Sequence, residues 1–129
     1  MSQHITRPEY FTKAQKLKDA CNACIVACEQ QISTGDDTTL QACCAACHTC
    51  IKACEDFIQE CKDHVSYCTI ESCKDIHKLC IEKSDVCIKK CGECTRECNF
   101  DVAQCADACN LCIQACDECI EAVDHCLEK

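Results

Sequence analysis

Cysteine at helical spacing is what can do chemistry in this chain. Val102, Cys105, Cys109, Cys112, Cys116, Cys119, Val123 and Cys126 follow one another in alternating steps of three and four, the rhythm of a helix face turned toward partner helices. The same rhythm carries Cys21, Cys24 and Cys28, then Cys43, Cys47, Cys50, Cys54, Cys61 and Cys68, then Cys73, Cys80, Cys87, Cys91, Cys94 and Cys98. Of 22 cysteines, only Cys44 falls one position off its line. Thiolates are soft ligands, and residues i and i+4 on a helix have Cβ atoms about 5–6 Å apart. A linear sulfur–metal–sulfur unit with bonds near 2.3 Å spans about 4.6 Å, so Cys-x-x-x-Cys suits a two-coordinate d¹⁰ ion. Such pairs recur as Cys24/Cys28, Cys43/Cys47, Cys50/Cys54, Cys87/Cys91, Cys94/Cys98, Cys105/Cys109 and Cys112/Cys116.

Four helices are needed to bring these lines together. One proline, Pro8, and two glycines, Gly35 and Gly92, leave few breaks. The first helix is expected over about 9–33, opened near Pro8 and closed by Ser33-Thr-Gly-Asp-Asp37, with Tyr10, Ala14 and Leu17 preceding the cysteines on its inward stripe. The second is expected over about 39–66, capped by Thr38 or Thr39 and carrying Leu40, Phe57 and His64 among its cysteines. The third, about 70–98, adds His77 and Ser84 to its inward line, and the fourth, about 101–127, is capped by Asp101. A second line of branched aliphatics, Ile25 and Ile32, Ile51, Ile58 and Val65, Ile81 and Ile88, Ile113, Ile120 and Leu127, is expected to seal the seams between helices. Long amphipathic segments joined by short turns predict an all-α fold, an antiparallel up-down-up-down four-helix bundle in a single domain over 1–129 with a cysteine-lined core.

Composition narrows the chemistry. A net charge of −9 argues against nucleic acid or an anionic membrane as partner. Leu, Ile, Val and Phe together make about 19% of the chain, near the limit below which chains fail to fold, so thiols must supply the core. The N-terminus has no apolar signal core and no stretch approaches the roughly 18 apolar residues of a membrane span, which reads as cytoplasmic. Thiols stay reduced there, and dense cysteine then means metal binding rather than a disulfide framework. Inside a bundle, one monovalent Cu(I) per thiolate leaves a neutral core, whereas Cys₄ zinc sites would leave roughly ten negative charges buried. The ferredoxin cysteine run is absent. Cys47-His-Thr-Cys50 matches a thioredoxin-type C-x-x-C but lies within a helix, with no βαβ context. The alternatives to a Cu(I) core are an iron–sulfur or thiol-redox protein and a disulfide-stapled structural bundle.

The run Cys91-Gly-Glu-Cys94-Thr-Arg-Glu-Cys98, the series Cys105-Ala-Asp-Ala-Cys109-Asn-Leu-Cys112-Ile-Gln-Ala-Cys116-Asp-Glu-Cys119 and the N-terminal Cys21-x-x-Cys24-x-x-x-Cys28 resemble the bacterial copper storage proteins of the cytosolic type. That resemblance implies storage of many Cu(I) ions along the bundle axis, no catalysis, a homo-oligomer that is often a tetramer, and traffic with a copper chaperone or efflux partner. Members of that family tend to carry histidines at one mouth of the bundle, some between the third and fourth helices. Here the turn Asn99-Phe-Asp-Val-Ala-Gln104 has none, and His4, His64, His77 and His125 instead fall toward the end that holds the termini. His64 and His77 lie on the inward stripe and join all 22 cysteines, Cys44 included, as candidate ligands. His48 lies off the stripe, where a structural role is expected.

Overall fold

The computed structural model describes residues 8–96 and 102–127, and the side chains of all of these except 8, 67, 96, 102 and 124–127. Within that span the chain is an all-α four-helix bundle: α1 (Pro8–Thr34), α2 (Asp37–Tyr67), α3 (Glu71–Arg96) and α4 (Val102–Leu127). At 26 to 31 residues, the helices are about 39–46 Å long.

The turns follow from a few residues. Gly35 takes a left-handed φ of 67° that a side chain would strain, and its N–H closes α1 on the Gln31 carbonyl at 2.8 Å. Asp36 follows in extended backbone and accepts the Thr39 N–H at 2.9 Å, so Asp36 rather than Thr38 or Thr39 caps α2. The helix therefore starts two residues earlier than expected, because the left-handed glycine already aims the next carboxylate at the first free N–H groups. At the far end Cys68 caps α2, its N–H on the His64 carbonyl at 2.9 Å. The turn to α3 is correspondingly tight. The expected Asp101 cap and the end of α3 at 98 lie outside the described residues.

Helix direction can be read from the sulfur contacts. Between α1 and α2 the close pairs are Cys28/Cys43, Cys24/Cys47 and Cys21/Cys50, numbers rising on one helix as they fall on the other, which is antiparallel packing. Cys50/Cys87 and Cys43/Cys94 give the same for α2 and α3, and Cys91/Cys105 and Cys87/Cys109 for α3 and α4. Cys47/Cys105, Cys50/Cys109 and Cys54/Cys112 rise together, as diagonal helices must in an up-down-up-down bundle.

Ile25, Ile51, Ile81, Ile88, Ile113 and Ile120 pack partly buried against the core, and Ile58 is buried. Ile32 departs from the expected seam: it lies one turn beyond Cys28, the last buried position of α1, and is 57% exposed. Buried alanines complete the seams, Ala20 and Ala27 on α1 and Ala106, Ala108, Ala115 and Ala122 on α4, small enough to let backbones approach. Lys13 of α1 meets the buried Glu60 of α2 at 3.0 Å, and Lys18 meets Asp117 of α4 at 2.6 Å.

Candidate metal centre

Thiols spaced three, four or seven residues apart along each helix meet counterparts on the neighbouring helices. Nineteen of the 20 described cysteines are buried, Cys44 alone being half-exposed, and none is joined in a disulfide. The side chains of Cys98 and Cys126 lie outside the described residues. Two complete four-sulfur layers cross the bundle: Cys24, Cys47, Cys91 and Cys105, then Cys21, Cys50, Cys87 and Cys109. Cross-helix sulfurs here sit 3.5 to 3.9 Å apart. Cys28, Cys43 and Cys94 form a partial layer above them, with Cys43 3.5 Å from Cys28 and 3.8 Å from Cys94.

These distances define the coordination available. With bonds near 2.3 Å, three-coordinate sulfurs lie about 4.0 Å apart and tetrahedral ones about 3.8 Å, against about 4.6 Å for a linear pair. The groups Cys43/Cys47/Cys94, Cys24/Cys91/Cys105/Cys109, Cys50/Cys87/Cys91/Cys109 and Cys21/Cys50/Cys54/Cys87 each keep all their sulfurs within 4.8 Å of one another. The helical pairs Cys43/Cys47, Cys50/Cys54, Cys87/Cys91 and Cys105/Cys109 are inside these groups. The cross-helix members are what periodicity does not reveal, and they raise the available coordination from two to three or four. Cys50, Cys87, Cys91 and Cys109 each belong to two groups, so one thiolate can bridge two ions.

Crowded thiols share protons unequally. Hydrogen bonding from the Cys109 thiol, first among several neighbours, pulls Cys50, Cys87 and Cys105 down, and Cys109 is pushed up in return, chiefly by Cys105. Cys80 is lowered to about 4 by the Cys119 and Cys61 thiols against the cost of burial. Burial alone is the main reason Cys116 is raised. The thiols therefore do not ionise alike, and burial disfavours one charge on every sulfur.

The end near the α2–α3 turn is built differently. Tyr10 donates its hydroxyl hydrogen to His77 Nε2 at 2.6 Å, while His77 Nδ1–H donates to the Cys73 carbonyl at 2.8 Å. Both ring nitrogens of His77 are therefore engaged, and the tautomer is assigned by these two partners. His64 stacks on His77 with ring centroids 4.2 Å apart and brings Nε2 to 3.1 Å from Cys73 Sγ. Cys68 sits in the turn with its thiol on the Ile70 carbonyl at 3.8 Å. Tyr10 stood on the inward stripe in the sequence, but nothing there gave it this partner. His48 is exposed on the groove between α1 and α2, off the buried thiol line. His4 and the side chain of His125 lie outside the described residues.

His77 carries a pH prediction. Burial first, against the Cys73 carbonyl and the Cys80 charge, holds its pKa below the usual 6.5. A histidine depressed in the folded state contributes stability that is present above the unfolded pKa and is lost as pH falls through about 6.5 and below. Urea unfolding of the metal-free chain should therefore lose up to about 1.4 kcal/mol per pH unit more steeply in the wild type than in His77→Gln below pH 6.5. Parallel curves would mean that His77 charges inside the folded protein.

No protein-family model, no curated protein and no solved structure matches this chain. What fold and site define is a cysteine-rich four-helix bundle whose buried thiol groups fit the binding of metal ions. No described helix is long and apolar enough to cross a membrane.

Proposed function

We propose that this protein is a cytoplasmic store for Cu(I), binding up to about one ion per thiolate and so keeping it from other thiols. The observation that carries this reading is the run of groups sharing Cys50, Cys87, Cys91 and Cys109, all fully buried. Shared thiolates favour ions that form bridged clusters, and soft sulfur ligands favour Cu(I). Charge points the same way: a monovalent ion per thiolate neutralises a buried core that divalent ions in Cys₄ groups would leave strongly negative. Ions displace protons that Cys109, Cys116 and their like hold tightly, so affinity rises with pH. The protein turns nothing over in this reading. It acts as a homo-oligomer, a tetramer on the family resemblance, exchanging copper with a chaperone or efflux partner.

Anaerobic titration of the reduced protein with Cu(I) against a chromophoric chelator tests the proposal. A plateau near 20 ions per chain is expected, and saturation at a few ions would sink it. Two substitutions sharpen the result. Cys44→Ser should leave capacity within about one ion of wild type, because this half-exposed thiol lies off the buried line. Cys109→Ser should lower it by two or more, since Cys109 serves two groups. The reverse order would mean that ions bind along the outside of α2.

A further inference from the structure

Three thiols stand apart from the shared run. Cys61, Cys80 and Cys119 are fully buried, and their sulfurs lie within 4.8 Å of one another. This trio has no member in common with the four groups described above. The layers between them lose sulfur: Ser84 takes the place of a cysteine on α3, with its Oγ 3.4 Å from Cys112 Sγ and 4.0 Å from Cys80 Sγ. By the register of α1 against α2, the buried Leu17 and Ala14 lie at the levels of Cys54 and Phe57. The next thiol along α4, Cys116, points its hydrogen at the Ala14 carbonyl, 3.6 Å away. By the same register Tyr10 lies at the level of Cys61, in contact with Phe57, His64 and His77.

We propose that Cys61, Cys80 and Cys119 form a separate mononuclear three-thiolate site that takes one soft divalent d¹⁰ ion. Charge and connectivity distinguish it from the run above. In the run, shared thiolates let monovalent ions reach neutrality one per sulfur. The trio shares no thiolate with the four groups above, so a monovalent ion on its three thiolates leaves two negative charges in the buried core and a divalent ion leaves one. Binding is an exchange with no redox step: one M²⁺ enters, three metal–sulfur bonds form, and each of the three sulfurs that still carries a proton releases it to solvent as its S–H bond breaks. A hard cation is excluded by the all-sulfur donor set. This site goes beyond copper storage and does not require the run to hold copper.

Cadmium is the probe. The reduced full chain, titrated anaerobically with ¹¹³Cd(II) and followed by NMR, should show one resonance with no cadmium–cadmium coupling that integrates to one ion per chain, beside coupled resonances from the shared run. That uncoupled resonance should vanish in Cys61→Ser and in Cys119→Ser and persist in Cys109→Ser. Its absence from the wild type at saturation, its survival in both trio variants, or coupling to a second cadmium would overturn the proposal. Circular dichroism identifies a variant that fails to fold, and the other variant with the wild-type coupling pattern then decides. A low Cu(I) capacity in the wild type would count against storage and leave this resonance untouched.

Discussion

Saturating the reduced protein with Cu(I) should raise its melting temperature by tens of degrees. Among the described residues the core has few large side chains, the three largest fully buried ones being Tyr10, Phe57 and Leu17, and cysteines make up most of the other buried positions. An ion that binds only the folded chain adds about 2.7 kcal/mol when present at a hundred times its dissociation constant. Several such sites together exceed about 10 kcal/mol, comparable with the whole stability of an ordinary domain. Each kcal/mol moves the midpoint of a domain this size by a few degrees. Anaerobic thermal unfolding with and without Cu(I), in a reductant that is not a thiol, checks this. A shift of only a few degrees would place the ions outside the bundle.

Phe57→Ala should separate stability from capacity. The ring is fully buried and meets Tyr10 edge-on with centroids 5.3 Å apart, at a level of the bundle where α1 contributes no thiol. Removing it costs about 3–5 kcal/mol by lost burial and the cavity left behind, a large part of what a metal-free core of this kind can hold. Urea unfolding of the metal-free variant should show that loss, while Cu(I) uptake stays within about one ion of wild type because no sulfur is removed. A stability loss below about 1 kcal/mol would mean that the thiols collapse into the space. A capacity loss of several ions would mean that the ring shapes the sulfur sites.

The bundle itself was legible because cysteine is small, apolar enough to bury and placed at most inward steps, so its spacing traces four helix faces. Turn chemistry was less so. The sequence offered Thr38 and Thr39 as caps with nothing to rank them below Asp36, whose advantage comes from the left-handed backbone of Gly35 just before it. Ile32 carried the right period for a seam and is exposed, since periodicity says which face a residue shares and not where the opposing helix ends.

By itself the sequence determined the elements and the donors: four amphipathic helices, an acidic exterior and an inward line of thiols, because side-chain period and ligand softness are local properties. Only the tertiary structure decided which thiols meet. Register across helices joins Cys50, Cys87, Cys91 and Cys109 into shared groups, turns His77 toward Tyr10 and gathers Cys61, Cys80 and Cys119 into a further group. Those groupings depend on how four helices slide past one another over a few ångströms, and the packing of their seams sets that slide.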